Sequence, residues 1–385
     1  MWLGACTSTV GTWMQILAQS WLVYSLSNSS LYLGLDAFFG QIPIFLFSLF
    51  GGVFADRKNR QNLLVASQVM QMSSAFTLAA MAGTGVVRVW HIWCLSFMVG
   101  LAQSFGGPAY SALIPTLVKK EDIQNAVALN SIQFNLARVV GPALGGIALV
   151  KLGAAWCFGL NGISYIAVIF TLLAIHPEFV PEKTGESVIE SMRGGINFLR
   201  QREGMAGLVA LAFFTAMLSF PLITFLPVMA REVFHGGSNI FTLFLCLSGA
   251  GSVVGALVVA GSQTHVGQAK RSLLAMVVLG VLITAFGLSK NLVLSTALVF
   301  GAGAALMVVF ALNSSLIQLY VSDAMRGRVM SVYNVAFRGG MPLGSVISGS
   351  LIKQVSAPAI MAGNGVLVVL LAAYFLLVQR KVSKL

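Results

Sequence analysis

Long apolar runs, largely free of charge, dominate the pattern of hydrophobic and polar positions. A helix rises 1.5 Å per residue, so about 20 mainly apolar residues cross the roughly 30 Å hydrocarbon layer of a membrane. Twelve such runs follow one another along the 385 residues. They lie at 2–26, 31–55, 61–84, 90–117, 123–150, 155–175, 206–230, 238–261, 271–288, 291–320, 325–352 and 357–379. The pattern predicts an all-α membrane protein with twelve transmembrane helices.

Composition indicates a polytopic membrane protein and excludes a soluble one. Charged residues make up 9% and hydrophobic residues 57% of the chain, against about 25% and 45–50% in soluble domains. The formal net charge is +12, but the basic residues are scattered between the apolar runs, where they serve as topology signals. The lipid bilayer is therefore an expected partner, and nucleic acid is not.

The lysines and arginines also predict the orientation. Sixteen of them lie in one set of alternate connections and the C-terminal tail, five lie in the opposite set and two lie within spans, which accounts for all 23. Cytoplasmic loops carry the excess of basic residues in membrane proteins. We expect a multi-pass protein of the plasma membrane, the inner membrane of a bacterium, with both termini in the cytoplasm.

The connection at 176–205 is the longest and divides the chain. It separates six spans in 1–175, the N-terminal half, from six spans in 206–385, the C-terminal half. Within it, the stretch ESMRGGINFLRQREG has Met192, Ile196 and Leu199 at helical spacing. This spacing predicts that the cytoplasmic linker contains a short amphipathic helix on the membrane surface.

Two distant segments share a pattern that predicts an internal repeat. NLARVVGPALGG places Arg138 four residues before Pro142, and VAFRGGMPLGS places Arg338 four residues before Pro342. SALIPTLV in the fourth span is likewise similar to SSLIQLYV in the tenth. Two similar halves of six spans are typical of secondary transporters, which bind substrate near the bilayer midplane between the repeats.

Several motifs resemble those of the major facilitator superfamily. GGVFADRKNR resembles the loop motif between its second and third helices, and VGPALGG resembles the fifth-helix antiporter motif of its drug exporters. Ala137 stands where the fuller antiporter motif prefers glycine. The N-terminal stretch from GTWMQILAQS to GGVFADRKNR is similar to the branch that includes enterobactin exporters and macrolide efflux proteins. The resemblance covers nearly the whole chain and implies two pseudo-symmetric six-helix halves that transport by alternating access.

The loop motif implies a conformational latch formed by Gly52, Asp56, Arg57 and Arg60. Gly51 and Gly52 let two helices close tightly, while Asp56 and Arg57 lie where the chain leaves the membrane. The resemblance implies that Asp56 faces the N-terminus of the eleventh helix, whose dipole favours negative charge, and so latches the outward-facing state. The alternative is a positive-inside anchor that contains one neutralising acid.

The antiporter-like motif of the fifth span predicts close helix packing. Its members are Gly141, Pro142, Gly145 and Gly146. The proline frees a backbone carbonyl one turn earlier, and the glycines admit a neighbouring helix. In the eighth span, Gly251 and Gly255 form a Gly-xxx-Gly packing face rather than a dinucleotide loop, because no strand precedes them.

Two arginines inside apolar runs are candidates for the substrate path. Arg138 and Arg338 lie about 20–24 Å along their helices, and at such depth a lipid-facing arginine costs at least about 2.5 kcal/mol. Their helix faces also carry Asn135 and Asn334, so we expect both polar stripes to face the bundle interior. In the alternative, each guanidinium only hydrogen-bonds backbone carbonyls that the nearby proline frees.

The first span adds a stripe of Ser8, Thr12, Gln15 and Gln19 at helical spacing. Gln15 and Gln19 are predicted to line the substrate path. Hydrogen bonds that hold neighbouring helices together are an equally suitable role for such side chains.

Asp36 is the carboxylate that lies clearly inside a span, in the second run. Proton coupling needs a group that titrates within the membrane, so Asp36 is predicted to carry the coupling proton. It could instead be a first-turn acid that the N-terminus of the second helix satisfies.

These features predict secondary active export of a small amphipathic molecule, drug-like or siderophore-like, by alternating access in antiport with protons. An importer or uniporter of the same fold, without proton coupling, is the alternative. The sequence contains no His-Glu-x-x-His helix and no Gly-x-x-x-x-Gly-Lys loop, so we expect no enzyme activity. The histidines are dispersed and the cysteines lack paired spacing, so neither a metal site nor a cofactor is expected.

Overall fold

A computed structural model describes residues 2–175, 188–202, 204–261 and 267–378 of the chain. Within these ranges the chain forms fourteen α-helices and no strand. The helices of the first part are α1 Trp2–Ser27, α2 Ser30–Arg57, α3 Arg60–Gly83, α4 Val89–Leu113, α5 Ile123–Lys151 and α6 Ala154–Leu173. Those of the second part are α7 Val188–Gln201, α8 Met205–Thr224, α9 Leu226–Glu232, α10 Ser238–Gly261, α11 Gln268–Leu288, α12 Leu292–Tyr320, α13 Asp323–Ile352 and α14 Ala357–Leu377.

Each predicted span corresponds to one long helix, except the seventh. That span is divided at Phe225 into α8 and α9, because Pro221 and Pro227 on either side cannot donate the backbone bonds of a continuous helix. Of the described helices, nine are long and apolar enough to cross a membrane by length and hydropathy. Helices α1, α4 and α13 have 26, 25 and 30 residues, so they are long enough to cross a membrane but are not apolar enough to be among the nine.

The chain divides into two compact units, Met1–Asn28 with Phe39–Glu186 and Ser29–Phe38 with Ser187–Leu385. The first turns of α2 therefore belong to the second unit. There the Ser30 hydroxyl donates to the Gly349 carbonyl oxygen at 3.0 Å. Gly34 lies so close to the backbone of Ser345 that only a residue without a side chain fits there.

The two units repeat the same set of helix pairs. In the first unit α1 packs on α5 and α6, and α3 packs on α4 and α6. In the second unit α8 packs on α13 and α14, and α11 packs on α12 and α14. Each helix of the second set is the sixth span after its counterpart, so the packing follows the internal repeat that the two arginine–proline segments predict.

Glycines allow the closest helix crossings. A Cβ atom added at Gly251 or Gly255 of α10 would fall on the carbonyl oxygen of Phe300 or Ala304 in α12. The predicted Gly-xxx-Gly packing face is therefore confirmed. At Gly261, the last residue of α10, nothing lies within 4 Å of the added atom.

Gly251→Ala should destabilise the protein, whereas Gly261→Ala in the same helix should not. Overpacking of a close contact costs about 1–3 kcal/mol because the neighbouring backbone must shift. We expect the first variant to lower the apparent unfolding temperature of the detergent-solubilised protein by several degrees and the second to leave it unchanged. Equal unfolding temperatures for the two variants would contradict the close approach of α10 and α12.

Candidate functional site

Arg138 of the first unit lies deep in α5, fifteen residues beyond the first residue of that helix, which is about 22 Å along it. Its guanidinium carbon is 5.4 Å from the centre of the Trp13 ring of α1. Trp13 in turn meets the Phe134 ring edge to face, with 6.3 Å between the ring centres. A cation over the face of an indole is stabilised by the ring quadrupole, so the aromatic surface positions the charge without neutralising it.

The donors of Arg138 are left open. Its Nε atom is buried and has no hydrogen-bond partner. Throughout the described ranges, no hydrogen bond or ion pair to this guanidinium is observed. If backbone carbonyls freed by the nearby proline satisfied Arg138, the guanidinium would hydrogen-bond to them. No such bond is observed in the described structure. An arginine offers five donors, so the Arg138 guanidinium keeps unused hydrogen-bonding capacity within the described ranges.

Arg338 of the second unit lies fifteen residues beyond the first residue of α13, at the same depth as Arg138 in α5. Its side chain and that of Asn334, one turn earlier, are both exposed. Neither of the two has a hydrogen-bond partner within the part of the chain that the structure describes. Arg338 thus repeats the position and the open donors of Arg138.

An aromatic cluster around Phe337, the residue before Arg338, was not foreseen from the sequence. Phe337 of α13 meets Phe310 of α12 with 4.6 Å between ring centres at 84°, and Phe220 of α8 lies 6.2 Å from Phe337. Tyr333, one turn before Phe337, stacks on it at 6.3 Å with an interplanar angle of 8°. The three phenylalanine rings are only half-buried. The Arg138 guanidinium therefore has an observed ring contact, whereas Arg338 adjoins this partly open aromatic cluster only through its sequence neighbour Phe337.

The polar residues of α1 are tied to neighbouring helices. The Asn161 side-chain amide of α6 donates to Gln15 at 2.6 Å, and Gln19 donates to the Ser96 hydroxyl of α4 at 2.9 Å. Gln15 also donates to Gln19, at 3.5 Å. These are the bonds expected if the two glutamines hold helices together; their role in the substrate path stays a prediction.

A second buried hydrogen-bond network, centred on Gln71 of α3, was also not predicted from the sequence. Gln71 is 4% exposed, and its carbonyl oxygen accepts from Gln103 of α4 at 3.1 Å and from the Tyr165 hydroxyl of α6 at 3.2 Å. Its amide donates to the Ser67 hydroxyl at 3.2 Å. The Tyr165 hydroxyl also lies 3.3 Å from that of Thr12 in α1. The network joins four helices of the first unit, which is a structural role.

The antiporter-like motif brings α5 against α1. All four members, Gly141, Pro142, Gly145 and Gly146, are buried. A Cβ atom at Gly141 would lie 2.7 Å from the Val10 carbonyl oxygen, and one at Gly145 would lie 2.8 Å from the Met14 side chain. Gly340 and Gly344 of α13 approach α8 in the same way. Close packing at these glycines fixes the helix segments that carry the two arginines.

The candidate latch residues lie at the end of α2 and the start of α3. Arg60 donates to the carbonyl oxygens of Ala55 and Ala112, both at 3.2 Å, and so joins α2, α3 and α4. Arg57 is exposed. Gly51 rather than Gly52 makes the close crossing, against Ser104 of α4, and nothing lies within 4 Å of a Cβ atom at Gly52. The Asp56 side chain lies outside the described part of the structure.

Asp36 is 7% exposed in the second unit. Helix α2 begins at Ser30 and has no acid in its first turn, so Asp36 lies in the second turn. The influence of a helix N-terminus on charge falls off within the first turn. The geometry therefore gives little support to a first-turn capping role. Nothing observed in the described ranges tests whether Asp36 binds a proton.

No group of three or more histidine, cysteine or acidic side chains that could hold a metal ion occurs among the described residues. The cysteines there, Cys6, Cys94, Cys157 and Cys246, form no disulfide bond among the described residues.

Comparison with known proteins identifies the fold and the family. The family described as transmembrane secretion effector matches residues 1–385. The chain is 24% identical over 348 residues to the staphyloferrin A transporter of Staphylococcus aureus (strain NCTC 8325 / PS 47), which covers 88% of this chain and 85% of that protein. It is 24% identical over 359 residues to the enterobactin exporter EntS of Shigella boydii serotype 18, which covers 92% of this chain and 85% of the relative.

Solved structures agree in fold. The crystal structure of nucleoside transporter NupG matches with a TM-score of 0.74 at 14% identity and covers 97% of this chain and 98% of that one. A bacterial homolog of the human lysosomal transporter Spinster matches with a TM-score of 0.74 at 15% identity and covers 100% and 96%. The predicted fold of twelve transmembrane helices is confirmed. The chain therefore belongs to the transmembrane secretion effector family of major facilitator superfamily transporters.

Proposed function

We propose that this transporter exports an anionic amphipathic molecule that carries an aromatic or otherwise planar group. The observation that supports this cargo is the pair Arg138 and Arg338, which lie at equivalent depths in α5 and α13 with open donors, together with the Trp13 ring that the Arg138 guanidinium faces. A guanidinium presents a planar fork that suits carboxylates and other bidentate acceptors. The neighbouring rings supply flat apolar surface that stacks on a planar group at little entropic cost.

The relatives support this class of cargo and the direction of transport. One is named as a transporter of staphyloferrin A, and others are named as exporters of enterobactin. We carry over from these names only the siderophore-like chemistry and outward movement from the cytoplasm. Uptake or facilitated diffusion by the same fold is the competing function, and it requires neither a proton gradient nor an acidic group in the membrane.

The energy source that we propose is the proton gradient, with Asp36 as the coupling group. Asp36 is buried in the second turn of α2, and the other acids of the chain lie at helix ends or in connections. An acid within a membrane is costly and is retained for function. Protonation from outside and release inside would then accompany each outward passage of cargo.

The proposed location is the plasma membrane, the inner membrane of a bacterium, with both termini in the cytoplasm. The excess of lysine and arginine in alternate connections supports this orientation. It places Arg60 and the contact between α2, α3 and α4 on the cytoplasmic side, where a latch would hold the outward-facing state.

Asp56→Asn should weaken that latch and slow turnover while leaving cargo affinity within about two-fold. A carboxylate near a helix N-terminus stabilises the helix by about 0.3–1 kcal/mol, and by up to about 2 kcal/mol when partly buried. Loss of this energy would lower the outward-facing population roughly two- to thirty-fold. Transport rate and equilibrium binding should be measured together in the same preparation. Glu121→Gln, an exposed acid of another connection on the same side, is the control. An unchanged turnover rate in Asp56→Asn would remove the latch.

The cargo class is tested by binding to the unaltered protein. An amphipathic aromatic carboxylate and the primary amide of the same molecule differ only in charge, so calorimetric titration of both isolates the role of the anion. We expect the carboxylate to bind at least ten times more tightly, because a hydrogen bond to a charged group contributes about 1.5–3 kcal/mol. Equal affinities would contradict an anionic cargo.

A further inference from the structure

Helix α7, in the connection between the two sets of six spans, is fixed to the second unit by one of its faces. A Cβ atom at Gly195 would lie 2.7 Å from the Arg328 carbonyl oxygen of α13, so glycine is needed for the approach. Leu199, on the same face, is 4% exposed. At the end of α7, Arg202 donates to the carbonyl oxygen of Tyr320, the last residue of α12, at 2.8 Å. The helix is therefore held to two transmembrane helices.

The opposite face of α7 carries two arginines. At 100° per residue, Arg193 and Arg200 lie about 140–160° round the helix from Gly195 and about 20° from each other. They are separated by seven residues, which is about 10 Å along the axis. Both side chains are exposed, and within the described ranges neither has a hydrogen-bond or ion-pair partner. Arg202 differs, because its guanidinium donates a hydrogen bond to α12.

The residues between the docked face and the arginines are apolar. Met192 and Ile196 lie about 60–100° from Gly195 on the side that leads to Arg193 and Arg200, and both are half-buried. Beyond the arginines, Glu190 lies about 60–80° further round, on a face that also carries exposed Asn197 and Gln201. A sequence of apolar, basic and then neutral or acidic residues around a helix is typical of one that lies in the membrane interface.

The position of α7 along α13 matches that interface. The contact at Arg328 is five residues after the start of α13 at Asp323, about 7.5 Å along the helix. This is the level at which a transmembrane helix emerges among lipid head groups. The count of basic residues assigns this end of α13 to the cytoplasmic side, where the anionic lipids of the inner leaflet create a negative surface potential.

We propose that Arg193 and Arg200 bind the phosphate groups of anionic phospholipids, with Met192 and Ile196 against the acyl chains. Since α7 is held to α12 and α13, the bound lipids anchor the second unit at the cytoplasmic surface. Each basic residue near an anionic surface contributes a preference of roughly five-fold, so the pair should favour anionic over zwitterionic lipid by roughly thirty-fold at low salt. Salt should reduce the preference, because exposed charges are screened beyond about 3 Å at 1 M.

Site-specific photolabelling tests this binding surface. The full-length protein is reconstituted in phosphatidylcholine vesicles that contain a trace of photoactivatable phosphatidylglycerol or of photoactivatable phosphatidylcholine, and the labelled peptides are mapped by mass spectrometry. We expect phosphatidylglycerol to label residues 188–202 at least ten times more than phosphatidylcholine does, and Arg193→Gln with Arg200→Gln to remove most of the excess. Labelling of peptides elsewhere in the chain serves as the internal measure of folding and reconstitution.

Two further variants separate charge from shape. The double lysine variant, Arg193→Lys with Arg200→Lys, keeps both charges and should retain most of the excess label. The control is Lys151→Gln with Lys353→Gln. It removes two exposed charges from the opposite set of connections and should retain all of the excess label. Equal labelling by the two lipids, no labelling of residues 188–202 by either, or an excess that survives the double glutamine variant would overturn the proposal. The measurement needs no cargo and no transport, so its outcome is independent of the proposed function.

Discussion

Asp36→Asn is expected to abolish export driven by a pH gradient, down to the level of vesicles without protein, while exchange of cargo between the two sides continues. Asparagine matches the carboxyl group in size but cannot bind or release a proton, so the buried position in α2 stays filled. If Asp36 couples the two fluxes, the conformational cycle persists but the gradient no longer biases it. Gradient-driven accumulation and cargo counterflow should be recorded on the same vesicles.

The matched control is Glu232→Gln, which removes an exposed carboxylate at the end of α9. It should leave both gradient-driven accumulation and counterflow unchanged. If Asp36→Asn still concentrates cargo against its gradient, the coupling proton is carried by another group or coupling uses no protein carboxylate. If counterflow is lost as well, Asp36 is needed for the conformational cycle itself.

Arg138→Gln and Arg338→Gln should each lower the affinity for anionic cargo by roughly 10- to 150-fold, and the affinity for the neutral amide of the same molecule by less than about three-fold. The expected loss follows from the about 1.5–3 kcal/mol that a hydrogen bond to a charged group contributes. Glutamine keeps two donors and much of the length of arginine but removes the charge and the fork. Calorimetric titration of both ligands gives the comparison directly.

Measurements on related variants make the arginine result specific. Arg231→Gln alters an exposed arginine at the end of α9 and should change neither affinity. Apparent unfolding temperatures of Arg138→Gln and Arg338→Gln should stay near that of the unaltered protein, since neither guanidinium hydrogen-bonds the described backbone. Equal loss of affinity for the charged and neutral ligands, together with lowered unfolding temperatures, would assign both arginines to structure.

The fold could be predicted from hydropathy because each span can be recognised from its own residues, without knowledge of contacts to other segments. Twenty apolar residues in a row have few alternatives in a polypeptide, and the basic residues and the repeated Arg138 and Arg338 segments indicate the halves. The break of the seventh span at Phe225 was missed, although Pro221 and Pro227 signal it. Prolines are tolerated in many membrane helices, so their presence alone does not predict a break.

The surroundings of the candidate site could not be predicted, because they depend on contacts between distant segments. Phe220 and Phe310 reach Phe337 from other helices, and a half-buried phenylalanine is unremarkable in an apolar run. Gln15 was assigned to the substrate path by its spacing alone, while its bond to Asn161 depends on how α6 packs on α1. Periodicity identifies a polar face, but the neighbour of that face is decided by tertiary structure.

The amphipathic helix shows the same limit. Met192, Ile196 and Leu199 predict a helix with an apolar face, and the structure places α7 at Val188–Gln201. Its placement on the membrane surface stays a prediction, whereas the burial of Leu199 in the second unit and the approach of Gly195 to α13 were not foreseen. The Gly194–Gly195 pair that permits this approach is also typical of a flexible linker. The sequence therefore does not distinguish a helix docked on α13 from a flexible connection.

Transport by purified protein in vesicles with an imposed pH gradient, with cargo and internal pH followed at the same time, tests the central claim most directly. Siderophore-like catechol and carboxylate amphiphiles should be screened beside cationic macrolides and dyes. The account predicts that an anionic amphiphile moves against its concentration gradient while protons move the opposite way, and that collapse of the pH gradient stops net movement. Transport that proceeds equally with and without the gradient, with no change of internal pH, would contradict proton-coupled export and favour a uniporter.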